Sequence, residues 1–194
     1  MPAALADKAY LKLAVGVDKP RAAATASFVD ACEEVRGGLC EYCILPLENT
    51  HSGKLTAFTR LILRYNLQVI AVCDLENGIT EGQITRFALL KNASERDFPS
   101  PLITPTEGEP LYLEFIHLGE SSSLTDLLSA AEFCGVTVCR LDTLPRFDDP
   151  DTDSDEPAPI GCVFDVTGSD LAVFRRFLTL EASDDILIGL YSPL

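Results

Sequence analysis

Residues 44–55 read ILPLENTHSGKL: an apolar run around a proline, followed without transition by a carboxylate, an amide and two hydroxyls. The run YCILPL (42–47) has the length and character of a buried strand. Upstream, TASFVDACEEVRGG (25–38) places Phe28, Ala31, Cys32 and Val35 on one helical face, with Gly37 and Gly38 as a stop. Downstream, Ser52 and Gly53 are expected to open a helix with Leu55, Phe58, Ile62 and Tyr65 on one stripe. LKLAVGV (11–17), LQVIAVC (67–73) and ITRFALL (84–90) read as further strands. Strands alternating with helices predict an α/β layer with a mainly parallel sheet. In such sheets ligands sit beyond the carboxyl ends of strands, where a helix N-terminus favours an anion. Glu48 to Gly53 occupies that kind of place. The competing reading is that Asn49, Thr50 and Ser52 only form a turn and cap the helix.

The chain has 194 residues, 47% of them hydrophobic, enough for one good core or two small ones. The start MPAALADKAYLKLAVGV lacks a basic segment leading into a long apolar run, and no stretch approaches the roughly 18 apolar residues of a membrane helix. A soluble cytoplasmic protein is expected. Seven cysteines are scattered. The CxxC of Cys40 and Cys43 has no second pair or histidine at zinc spacing, so these are read as reduced, buried thiols, and neither metal nor cofactor is called for.

The net charge of −15 is uneven: residues 1–100 hold 11 Lys and Arg against 12 Asp and Glu, and residues 101–194 hold 4 against 18, or −1 and −14. No basic stripe suits nucleic acid, and an anionic membrane would repel the second half. An anionic metabolite fits only the first half. The proline-rich, aperiodic segment 92–110 predicts a boundary between domains at 1–100 and 109–194. A second polar run, RFDDPDTDSDEPAP (146–159), reads as a solvated loop. Beyond the boundary, LYLEFIHL, VTVCRLD, IGCVFDV and ILIGLY read as strands. Helices carrying Leu124, Leu127, Leu128 and Ala131, then Leu171, Phe174 and Leu178, complete the ferredoxin-like order βαββαβ.

At this point the residues carry a resemblance. ILPLENTHSG resembles the VVPIENSxxG motif of prephenate dehydratases, and QITRFALL (83–90) resembles their NxTRF motif, whose threonine is that family's catalytic residue. The regulatory ACT domain that follows in this family has GALxxxL, GIN, ESRP and LGSYP stretches. Here SSSLTDLL (121–128), GVT (135–137), DTLP (142–145) and IGLYSP (188–193) stand in their places. The resemblance implies a reduced dehydratase-like α/β lobe followed by a ferredoxin-like ACT domain.

It also implies a reaction: prephenate loses carbon dioxide and hydroxide to give phenylpyruvate, on the route to phenylalanine. Thr85 would be the catalytic hydrogen-bond donor. Thr50 and the amides near Ser52 and Gly53 would hold carboxylate, Asn49 would orient the site, and Glu48 would be structural or an acceptor. Arg86 should point to the opposite face of its strand. In the second domain the matching positions, Ser122, Ser123, Leu124, Asp142 and Thr143, would take an aromatic amino acid as effector, and the domain would pair into a homodimer.

The departures are specific. VGVDKPRAAA matches the family's opening GPxGTFS-like motif poorly, and the middle lobe with its SHPQAL motif has no counterpart. Ser122 and Ser123 replace glycine and alanine, while Asp142, Thr143 and Leu144 replace ESR, losing an arginine. Three readings follow: a dehydratase-derived binding or regulatory protein with reduced catalysis, an active dehydratase of small size, and a dimeric scaffold with vestigial sites.

Overall fold

The computed structural model describes residues 3–51, 53–76, 82–93, 98–145 and 158–194. It divides into two compact units, Met1–Thr104 with Leu190–Leu194, and Pro105–Gly189.

The first unit opens with helix α1 (Ala3–Leu13) and a 3-10 turn (Ala14–Gly16), where alternation at 11–17 predicts a strand. The correction has a simple cause. Leu5, Ala9 and Leu13 recur at every fourth residue and all are buried, so the stripe that matters starts before the window in which Leu11, Leu13 and Val15 alternate. Leu11 and Val15 face solvent. Helix α2 (Phe28–Arg36) begins where Ser27 accepts from the Asp30 amide at 3.1 Å, and ends where Gly38 turns to φ 72° and Leu39 N–H returns to the Glu34 carbonyl. Strand β1 (Tyr42–Asn49) leads into a two-residue strand, β2 (Gly53–Lys54), and then helix α3 (Thr56–Tyr65). Strands β3 (Leu67–Glu76) and β4 (Ile84–Asn92) complete the unit's sheet, in the order β2-β1-β4-β3.

Every recorded pair among these four strands is antiparallel, which corrects the expected parallel sheet. Helix α3 does carry the chain from β1 to β3, and those strands run the same way. They are not neighbours, because β4 inserts between them. The connection from β3 to β4, residues 77–83, is too short for a crossover, so β4 must return antiparallel. Tyr42 and Ile44 of β1 pack toward the α1 cluster of Leu13, Phe87 and Leu89, whereas the alternate residue Cys43 is buried on the other face, and α2 packs against β1. The sheet therefore has helices on both faces. Phe28 and Phe58 stack edge to face at 5.0 Å, and Tyr65 donates to Glu33 at 3.0 Å, joining α2 to α3. The last residues belong here too: Leu194 N–H donates to the Val72 carbonyl at 2.8 Å beside a Val72–Pro193 bridge.

The second unit runs β5 (Tyr112–His117), α4 (Leu124–Phe133), β6 (Thr137–Thr143), β7 (Ile160–Asp165), α5 (Leu171–Leu180) and β8 (Ile186–Tyr191, residues 186–189 lying in this unit). Its strand order is β8-β5-β7-β6, the ferredoxin-like arrangement expected from periodicity. Phe115 meets Phe164 edge to face at 5.2 Å, and Phe164 stacks on Phe174 at 5.8 Å, so strands and α5 share one aromatic core. Leu127 and Ala131 of α4 are buried, as are Phe174 and Leu178 of α5. The acidic run from 146 to 157 lies outside the described residues. Among the described residues no helix is long and apolar enough to cross a membrane.

The register of α1 is directly testable. Leu13→Ala should lower stability by about 2–5 kcal/mol and Leu11→Ala by less than about 0.5 kcal/mol, read from urea midpoints. Equal losses at both positions would contradict the helix.

Candidate functional site

The site is built by strand pairing. Pro46 lies opposite Phe87 and Glu48 opposite Arg86, so Leu47 is an extra residue in β1. Asn49 consequently faces Thr85. The Asn49 side-chain amide donates to Thr85 Oγ1 at 2.8 Å. Its carbonyl oxygen accepts from the His51 backbone N–H at 2.9 Å and from Gln83 Nε2 at 3.0 Å. A backbone amide can only donate, so the Asn49 oxygen is assigned by His51 and the NH₂ must face Thr85. The Thr85 hydroxyl accepts there, which leaves its own proton to be donated elsewhere. Thr85 is buried, at 7% exposure.

Thr50 locks the same corner: its N–H donates to the Ile84 carbonyl and its hydroxyl accepts from the Ile84 N–H, both at 3.0 Å. Gly53, at φ 69°, pairs with Asn49 in β2, and Leu55 N–H returns to the Leu47 carbonyl at 2.9 Å. Helix α3 thus starts at Thr56, later than expected, and Gly53 belongs to a strand pair and not to a helix N-terminus. Ser52 lies outside the described residues.

Glu48 and Arg86 project from the other face. Arg86 donates to both carboxylate oxygens of Asp74, at 2.8 and 2.9 Å, with Glu48 3.9 Å away. The Asp74 carboxylate holds the guanidinium even more firmly charged than usual, against the opposing effect of burial. The sequence-derived residues are therefore divided: Asn49, Thr50 and Thr85 meet in one network, and Glu48 lies with Arg86 in another. Two participants went unassigned in the sequence. Gln83 was legible, since it occupies the first position of the NxTRF-like stretch. Asp74 was not, because only the β3–β4 register brings it to Arg86.

In the second unit Ser123 caps α4, accepting from the Asp126 N–H at 3.2 Å and donating to the Asp126 carboxylate at 2.6 Å. Leu124 is the first residue of α4, and Ser122 is half-buried just before it. Asp142 and Thr143 sit on β6 opposite Gly161 and Ile160, and Asp142 holds Arg140 at 2.8 Å. Sequence reasoning missed what anchors the loop after β5. Asp184 accepts from the amides of Glu120 and Ser121, at 2.9 and 3.1 Å. Asp185, whose side chain is buried, accepts from the Leu118 N–H at 3.2 Å and lies 2.9 Å from His117 Nδ1. Burial pushes the Asp185 carboxyl up, and His117 pulls it back.

No family model matches the chain, and no curated protein sequence matches it either. Solved structures do. Prephenate dehydratase from Streptococcus mutans aligns at TM-score 0.67 and 14% identity over 95% of this chain and 92% of that one. A protein described as GqqA, a novel type of quorum quenching acylase, aligns at 0.65 and 17% over 99% and 91%. Prephenate dehydratase from Arthrobacter aurescens in complex with L-Phe aligns at 0.63 and 14% over 96% and 86%.

The α4 cap supplies a pH test. Ser123 holds the Asp126 carboxyl below its ordinary range. The contribution is therefore present above the unfolded value, about 3.9, and is lost as pH falls through the lower folded value. Asp126→Asn should remove that part of the acid sensitivity of unfolding. An unchanged acid limb in the variant would count against the cap.

With two prephenate dehydratases among its structural neighbours over most of each chain, the protein has the prephenate dehydratase fold.

Proposed function

We propose that this chain is a dehydratase-derived regulatory protein that binds a small anionic metabolite or an aromatic amino acid, with catalysis reduced. The observation that supports reduced catalysis is the commitment of the donors around Thr85. In the turn after β1, the Thr50 N–H is spent on Ile84 and the His51 N–H on Asn49, and Arg86 is held by Asp74 on the opposite face. A dianion held for elimination needs preorganised donors that are not already paired. The neighbour solved with L-Phe supports amino-acid binding, and on this reading the effector would be taken at the ACT-like positions Ser122, Ser123, Leu124, Asp142 and Thr143, in residues 109–194. The acylase description of another neighbour is a reminder that this fold does not decide a reaction.

A second reading rests on the Asn49–Thr85 bond: a hydroxyl that accepts from an amide is oriented to donate, as loss of a hydroxyl from prephenate requires. Incubation with prephenate and detection of phenylpyruvate distinguishes the two, and calorimetry with phenylalanine, tyrosine and tryptophan tests binding directly. The first reading expects aromatic amino-acid binding without turnover. If turnover is found, Thr85→Val should reduce it by about 10²–10³-fold, at a stability cost of about 1 kcal/mol for the lost bond. Turnover that survives the substitution removes Thr85 from the mechanism. Absence of both turnover and binding leaves the scaffold reading.

Assembly belongs to the same proposal. Strand β6 ends the second unit's strand order, with Val138 and Leu141 exposed. Antiparallel self-pairing about Leu141 sets Arg140 opposite the partner's Asp142 twice, a complementary pattern. Light scattering at micromolar concentration should give twice the chain mass, and Asp142→Arg should return it to one chain. A wild-type monomer overturns the pairing.

A further inference from the structure

His117, the last residue of β5, alternates with Leu113 and Phe115 and so shares their face of the strand. The groups buried by the elements packed on β5 are apolar: Leu127 and Ala131 of α4, Phe174 and Leu178 of α5, and Phe164 of β7, while Ile160 pairs with His117. In this setting His117 Nδ1 lies 2.9 Å from Asp185 Oδ1, with the two side chains 3% and 1% exposed. Leu118 N–H donates to the same oxygen at 3.2 Å. The other carboxyl oxygen, Oδ2, is buried with no hydrogen-bond partner. An ionised carboxylate can only accept, so beside it the neutral imidazole carries its proton on Nδ1.

A neutral imidazole leaves this pair with one buried negative charge and one unsatisfied carboxylate oxygen, a costly arrangement. One added proton, on Nε2 or on the carboxyl, removes the net charge. Burial pushes the Asp185 carboxyl up, His117 pulls it back, and the adjacent Asp184 adds to the push. Among the described residues, His117 and Asp184 are the charged or titratable groups that act on it. Asp184 itself goes the other way: burial pushes it up, but bonds from Ser121 and Glu120 outweigh that and hold it below the ordinary range. A carboxyl raised in the folded state contributes stability below its unfolded value, about 3.9, and that contribution is lost as pH rises through the folded value.

We propose that the buried His117–Asp185 pair is a pH-sensitive latch on residues 118–121, the loop between β5 and α4, firmly closed when the pair holds an added proton and loosened when it carries a net charge. Opening returns the Asp185 carboxylate to water, so a higher pH favours the open loop. The latch reaches beyond Leu118, because the adjacent Asp184 accepts from the Glu120 and Ser121 amides at 2.9 and 3.1 Å and moves with Asp185. Protonation of Asp184 opposes the effect only below about pH 3.9. Ser122, Ser123 and Leu124 follow directly on the latched loop, so its opening changes the approach to α4. The latch does not depend on the dehydratase-like reading, since it rests on the His117–Asp185 contact alone.

The test is amide hydrogen exchange of the full chain, without ligand, followed by nuclear magnetic resonance from about pH 4.5 to 8 with the intrinsic exchange rate divided out. One linked proton changes an opening constant by at most about 10-fold per pH unit. Protection of the Leu118, Glu120 and Ser121 amides should fall by at least about 5-fold across the range, while that of Val136, bonded to the Ala131 carbonyl, stays level. In Asp185→Asn the oxygen that accepts from His117 and Leu118 is kept and the charge is lost, so protection should no longer follow pH. If that variant does not fold, the wild type carries the test: the Asp185 carboxyl carbon or the His117 ring nitrogens must titrate at the midpoint at which protection changes. Protection that is level in the wild type, an equal fall in Asp185→Asn, or no titration of either group at that midpoint overturns the latch.

Discussion

The first unit depends on one register constraint, the pairing of β1 with β4 across the extra residue Leu47. Side chains alternate between the faces of a strand, so pairing Leu47 regularly with Arg86 would set Glu48 against Thr85 and Asn49 against Ile84, each on the opposite face. With the bulge in place, β1 buries Leu45 on the α2 side, keeps Ile44 on the α1 side, and still delivers Asn49 to Thr85. The same register sends Glu48 to Arg86. A single irregularity thus separates a neutral hydrogen-bonded network from a charged one on adjacent residues of the same two strands.

The two networks differ in what they cost and in what they can do. Arg86 donates two charge-assisted bonds to Asp74, so its charge is already met by a carboxylate of the same sheet. Thr85 is buried and uncharged, and its orientation is imposed through Asn49 by a backbone amide that cannot reverse its polarity. In the second unit buried or half-buried carboxylates do comparable work. Asp184 and Asp185 accept amides of residues 118, 120 and 121, so the approach to α4 is set by the loop before β8. Ser123 then begins the helix by exchanging bonds with Asp126.

Much of this was legible in the chain. Strands β1, β3 and β4 and those of the second unit, the helices over residues 28–36, 124–133 and 171–180, and the order βαββαβ follow from periodicity and from capping residues, which act locally. The likeness to the dehydratase motifs pointed to Asn49 and Thr85, which do lie within hydrogen-bonding distance. Two errors came from reading too short a window or too simple a rule. The α1 stripe begins before the alternating stretch at 11–17, and a helix between two strands does not make those strands neighbours.

Sequence by itself determined which segments are apolar, where helices α2, α4 and α5 lie, and which residue types stand at the ends of strands, because each follows from the chemistry of residues close along the chain. Tertiary structure alone decided that β4 lies between β1 and β3, that Asp74 claims Arg86, and that Glu48 and Asn49 serve different faces. Those outcomes depend on pairing between strands and on helix packing across the sheet. No local pattern encodes them, since a shift of one residue in register exchanges every partner while leaving each strand's own sequence unchanged.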